Sequence, residues 1–194
     1  MATDIPIRSL DEQRAEYADR RFTAMPIAGT IAWTASGVAG WLMPPVAAVW
    51  TLFIATGSIA YLGMFISRFT GEHFLDRSRP RNAFDTLFLM TVLMALLVYA
   101  IAIPFFLIDY TSLPLTVGIL TGLMWIPLSW AISHWVGIFH GVTRTVLVLA
   151  AWYMFPDARF VVIPAVIVCI YLISIMVLEA RYRARRHQPP HAAT

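Results

Sequence analysis

The stretch Phe84-Asp-Thr-Leu-Phe-Leu-Met-Thr-Val-Leu-Met-Ala-Leu-Leu-Val-Tyr-Ala-Ile-Ala-Ile-Pro-Phe-Phe106 carries one charge, Asp85, at its start. A hydrocarbon core about 30 Å thick takes about 20 apolar residues of a helix rising about 1.5 Å each. The stretch meets that length, so it predicts a membrane-crossing helix. Five further segments meet it too, at 22–43, 46–67, 114–134, 136–155 and 160–179. Composition agrees: 59% of the 194 residues are hydrophobic and 13% charged, with a mean hydropathy of +0.71. Soluble domains carry about 25% charged residues, and a chain this short cannot bury so much apolar surface in a core of its own. The expectation is an all-α integral membrane bundle of six transmembrane helices. A charged segment, 1–21, containing a short helix, precedes the membrane domain, 22–180. A basic tail, 181–194, expected to be disordered, follows it.

The connections give the bundle a direction. Met43-Pro44-Pro45 joins the first two predicted spans and Pro156-Asp157-Ala158-Arg159 the last two; proline stops one helix or starts the next. All 14 cationic residues are arginine. Arg8, Arg14, Arg20, Arg21, Arg68, Arg77, Arg79, Arg81, Arg181, Arg183, Arg185 and Arg186 fall on one side of this topology, and Arg159 alone on the other. Cytoplasmic loops collect arginine, so both termini are expected in the cytoplasm, with the spans in a bacterial cytoplasmic membrane. Trp41, Trp50, Tyr110, Trp152 and Tyr153 lie at the opposite helix ends, where amphipathic rings prefer the interface. Arginines placed beside apolar spans leave no basic face for nucleic acid. The 8–21 segment reads either as an interfacial helix or as a solvated lead-in.

Small residues recur every four positions at Ala28, Ala32, Ser36 and Gly40, and again along Gly57, Ala60, Gly63 and Ser67. Such stripes let backbones approach closely. They suit either the first two helices packed together or a seam between two copies of the chain.

Chemistry points to the fourth and fifth spans. Arg144 stands in the middle of the fifth, where an arginine costs about 2.5–3.5 kcal/mol on insertion scales. His140 lies one turn away on the same face, and is expected to be neutral because two neighbouring cations repel. If the hairpin turns at Trp135, Pro127 comes opposite Arg144 and frees the Leu123 carbonyl. With Ser129, Trp130, Ser133 and His134, these groups would form a polar pocket in the inner half of the membrane. An ionisable residue at that depth is a functional-site hypothesis; the alternative is an arginine that fixes helix depth or meets a lipid phosphate. Asp85 follows Asn82 where an acid supports a helix start, or else serves as counter-ion to Arg144. Neither Glu72, His73 and Asp76 nor His134 with His140 has a spacing such as HExxH, so no metal and no cofactor is expected. Cys169 has no cysteine to pair with and reads as a packing residue.

The Trp125-Ile-Pro-Leu-Ser-Trp130 segment, after a glycine-rich stretch, and the Asn82-Ala-Phe84 helix entry resemble a family of small prokaryotic membrane proteins known only as a domain of unknown function. In that pattern a histidine stands three residues before the proline, where this chain has Met124. The resemblance implies a polytopic membrane fold and brings no activity.

Three classes of function stay open. A transporter or channel for a small solute or ion would use the inward-facing polar site to favour an anion. A non-catalytic sensor, lipid-binding or partner subunit would use it to hold a ligand. A membrane-embedded enzyme has the least support, since no GxSxG, Walker loop or nucleotide fingerprint occurs. The expected partners are the lipid bilayer, an anionic ligand or lipid headgroup, and a second copy of the chain.

Overall fold

The computed structural model describes residues 8–72, 74, 80 and 82–187, and among these there are helices and no strands. His73, Asp76, Arg77, Arg79, Arg81 and the tail after His187 lie outside the described residues. The helices are α1 (Leu10–Ala18), α2 (Ala24–Leu42), α3 (Pro45–Gly57), α4 (Ile59–Thr70), α5 (Ala83–Leu97), α6 (Tyr99–Ile108), α7 (Ser112–Leu123), α8 (Trp125–Ala131), α9 (Val136–Met154) and α10 (Arg159–Arg186). All six predicted segments are helical, but three are interrupted at a single residue: Ser58, Val98 and Met124. At Ser58 the axis bends by 51°. The break at Met124 lies beside the carbonyl of Leu123, which Pro127 leaves without its helical donor.

Four stretches are long and apolar enough to cross a membrane: Ala83–Ile108, Ser112–Ala131, Val136–Met154 and Pro156–Arg186. The bent α3–α4 pair makes a fifth if taken as one span. The first predicted span forms α2, which is 19 residues long but rich in Ala, Gly, Ser and Thr, so it falls short in hydropathy rather than length. Those small side chains suit its position, packed against α10, α4 and α3. A Cβ at Gly40 would stand 2.4 Å from the Phe160 carbonyl oxygen, and one at Gly63 would stand 2.2 Å from Met25 Sδ. The small-residue stripe of α2 is thus covered within the chain, by α10 as well as by α4.

The surface is the inverse of a soluble protein's. Ile108, Leu107 and Trp41 are 86%, 76% and 75% exposed, while Arg144 and His140 are fully buried. Only 11% of the Ala83–Ile108 window is buried, although its mean hydropathy is 2.6. Exposed apolar area on this scale is compatible with lipid as the solvent. Cys169 also faces outward from α10 rather than packing inside.

One end of the bundle carries the N-terminal segment, Glu72 and the end of α10. There α1 starts with a capping box between Ser9 and Glu12 and buries Tyr17 and Ala18. It is docked rather than free. Asn82 donates to the Gln13 carbonyl at 2.8 Å, Arg20 pairs with Asp85 at 3.0 Å (Nη2 to Oδ2), and Arg185 pairs with Asp19 at 2.7 Å. Arg21 meets Glu179 at 2.7 Å, and Arg181 donates to the Ala18 carbonyl, where a cation suits a helix C-terminus. Glu72 caps α2: its Oε1 accepts from the Thr23 amide at 2.8 Å, the Thr23 hydroxyl at 3.0 Å and the Ala24 amide at 2.8 Å. At the other end, Arg159 lies 3.4 Å over the Trp152 ring and donates to the Thr111 hydroxyl at 2.7 Å.

Candidate functional site

Three helices converge on Arg144 with neutral groups. Its Nε donates to the Gly118 carbonyl at 2.6 Å, its Nη2 to the Thr121 hydroxyl at 2.9 Å and its Nη1 to the Tyr171 hydroxyl at 3.2 Å. The rings of Trp33 and Tyr171 lie 5.3 and 5.4 Å from the guanidinium carbon, within cation–π range. Among the described residues no carboxylate pairs with it. A buried cation held only by dipoles and ring faces keeps its full charge uncompensated, which makes the region attractive to an anion.

Gly122 makes room for this side chain, since a Cβ there would stand 2.8 Å from Arg144 Cδ. The same glycine pattern sets the hairpin register. Gly137 lies against Trp125 and Ser129, and Gly141 against Gly122 and Ile126. Arg144 therefore faces Gly118 to Gly122, not Pro127. The expected turn at Trp135 is corrected to the residues just before it: α8 stops at Ala131, and Ser133 takes φ +50° to reverse the chain.

The remaining candidates separate into two groups. His140 stays with Arg144: its Nε2 is 3.5 Å from Arg144 Nη1, its Nδ1 is 2.9 Å from Ser174 Oγ, and its ring stacks on Trp125 at 3.8 Å. Ser129, Ser133 and His134 build the turn. Ser129 Oγ donates to the His134 carbonyl at 2.6 Å and accepts from the Ile138 amide at 2.8 Å. Burial, and then the charges of Arg181 and Arg185, hold the His134 imidazole below the usual histidine range. Trp130 is exposed and lies under Arg14, 4.2 Å from the guanidinium carbon. Asp85 meets Arg20 at the N-terminal segment, away from Arg144. Metal chemistry has no cluster of three or more ligating side chains among the described residues.

Beside Arg144 lies a cavity of about 110 Å³, and residues at all three helix breaks line it: Gly57 and Ile59, Leu96 and Tyr99, Met124 and Trp125. Its wall is mostly apolar, from Leu87, Phe88, Val92 and Leu128, and Tyr17, Phe22 and Phe74 line it as well. Its polar groups are few. Thr56 and Tyr99 hydroxyls bond to each other at 2.7 Å, and Thr121 and Tyr171, which both hold Arg144, also line it. The Thr121 hydroxyl donates within its own helix, to the Val117 carbonyl at 2.6 Å. The Tyr171 hydroxyl accepts from Arg144, and its own proton has no acceptor among the described residues. With the guanidinium polarising it, this hydroxyl is one free donor on a residue of the wall; the Trp125 indole N–H is another. Tyr171, Thr121, Gly118 and Ser174 escape a sequence reading because no polar period marks them; only the depth of Arg144 signals that such partners must exist.

A family model described as a family of unknown function (DUF7010) matches residues 10–181, so the chain belongs to that family. No curated protein and no solved structure matches it.

Proposed function

From membership of a family without an assigned activity, we propose that this chain is a bacterial inner-membrane carrier for a small solute with an apolar body and an anionic end. All six helical segments cross the bilayer in this reading, with both termini and the arginine-rich end in the cytoplasm. The observation that carries it is the coincidence of three broken helices at one cavity beside a buried arginine that has no carboxylate partner among the described residues. Broken spans expose backbone groups and create hinges at substrate sites of membrane carriers. A closed apolar cavity of roughly 150 Å³ suffices for benzene; this one, at about 110 Å³, is smaller but partly open, so the apolar body is at most one ring in size. The anionic end would accept a hydrogen bond from the Tyr171 hydroxyl and feel the Arg144 charge.

Benzenesulfonate is the probe, being ionised at every working pH and slow to cross lipid alone. Purified protein in liposomes should give saturable uptake of the labelled anion. Tyr171→Phe removes one hydrogen bond to a charged group, about 1.5–3 kcal/mol, and should weaken uptake about ten- to hundredfold. Arg144→Met removes the charge and should abolish it. Uptake equal to empty liposomes would reject the carrier. Saturable binding without flux would favour the sensor or ligand-binding subunit instead.

A further inference from the structure

His140 is the titratable group beside Arg144 that anion binding alone leaves without a role. Hydrogen bonds settle its tautomer. Ser174 Oγ donates to the Ile170 carbonyl at 2.8 Å, so it accepts from His140 Nδ1–H at 2.9 Å. Nε2 then carries the lone pair and faces Arg144 Nη1 at 3.5 Å. The Trp125 ring lies flat on the imidazole, at 10° and 3.8 Å, and the Tyr171 ring stands 4.8 Å away. The imidazole is therefore clamped from α8 and α10 and cannot turn its Nε2 elsewhere. The charged or titratable groups facing it are Arg144 on α9 and Tyr171 on α10; Trp125 and Ser174 carry no charge.

In the empty site a proton on Nε2 would face the guanidinium, and two cations one turn apart repel strongly in a medium of low dielectric. An anion at the Tyr171 hydroxyl, one ring away, cancels that repulsion. We propose that each anion bound at the Arg144–Tyr171 wall brings one proton from water onto His140 Nε2, so that the protein couples anion and proton. The charges balance: the site holds one net positive charge when empty, from Arg144, and one when loaded, from Arg144, His140 and the anion together. This rests on the anionic-solute reading above. A neighbouring negative charge at that range favours the protonated ring on the order of a hundredfold.

The test is calorimetric titration of the purified protein with benzenesulfonate in two buffers of different ionisation enthalpy. Across the roughly two pH units by which a hundredfold coupling separates the free and loaded ring, wild type should take up about one proton per anion bound and its affinity should fall about tenfold per pH unit on raising the pH. His140→Gln should bind with no proton uptake and a flat pH profile. Nitrogen-labelled histidine in the wild type gives a readout that needs no variant: one ring should pass from the neutral Nδ1–H form to imidazolium on adding the anion. Binding with no proton taken up, uptake that persists in His140→Gln, or no change at any ring overturns the coupling alone. No binding of benzenesulfonate at all overturns both this and the carrier.

Discussion

Replacing Glu72 by alanine should cost far more stability than replacing it by glutamine, although both changes remove the charge. The carboxylate accepts three hydrogen bonds at the start of α2, two of them from the amides of Thr23 and Ala24. Those residues are 2% and 0% exposed, so water cannot take the place of the lost acceptor. Each stranded amide costs about 1–3 kcal/mol, which puts Glu72→Ala at about 2–6 kcal/mol, while the Thr23 hydroxyl can rotate to its own backbone. Glutamine keeps a carbonyl oxygen for the amides and loses only the charge–dipole attraction, about 0.3–1 kcal/mol. Its amide nitrogen would take the place of Glu72 Oε2, which is buried without a hydrogen-bond partner among the described residues. Unfolding in mixed micelles with increasing dodecyl sulfate, followed by fluorescence of the seven tryptophans, measures the difference. Alanine within about 1 kcal/mol of wild type, or glutamine as damaging as alanine, would refute the capping argument.

Gly137→Ala should destabilise by about 1–3 kcal/mol or more, because the new Cβ would lie 2.1 Å from the Trp125 carbonyl oxygen. Gly57→Ala meets only Tyr99 Oη at 3.9 Å and should be tolerated in the same unfolding assay. Arg8, through its hydrogen bond, holds the Glu16 carboxyl below its ordinary value of 4.5. Its contribution to stability is therefore complete above about pH 4.5 and is lost as pH falls through the lower folded-state value. Thermal scans should show that acid loss in wild type, and Glu16→Gln should flatten it. In a Cys169→Ser background, cysteine at position 11 should label only from the cytoplasmic side and cysteine at 157 only from outside. Labelling of position 11 from outside would reject the proposed orientation.

Hydropathy over about 20 residues is a local quantity, and so the helical runs, the apolar surface and the improbable depth of Arg144 were all legible in the sequence. The charge bias was legible for the same reason: arginines at 8–21, 68 and 181–186 cluster at segment ends, and the structure gathers the described ones at one end. Local patterns failed where a residue's role depends on a distant partner. Asp85 suits a helix start from its neighbours alone, but its pairing with Arg20 spans 65 positions. Likewise Glu72, one of several loop acids in the sequence, became a cap only when α4 brought it to Thr23.

The sequence by itself determined that the chain is helical, where its apolar runs lie, and that a charge must be housed deep within one of them. The tertiary structure alone decided what houses it: Gly118, Thr121 and Tyr171, between 23 and 27 positions away. The register of the α7–α8 and α9 hairpin, not the apolar period, chose those partners. Glycines at 122, 137 and 141 admit close contact at one alignment, and the turn at Ser133 holds it. The cavity has the same origin, since three separate helix breaks matter only once packing brings them to the same depth.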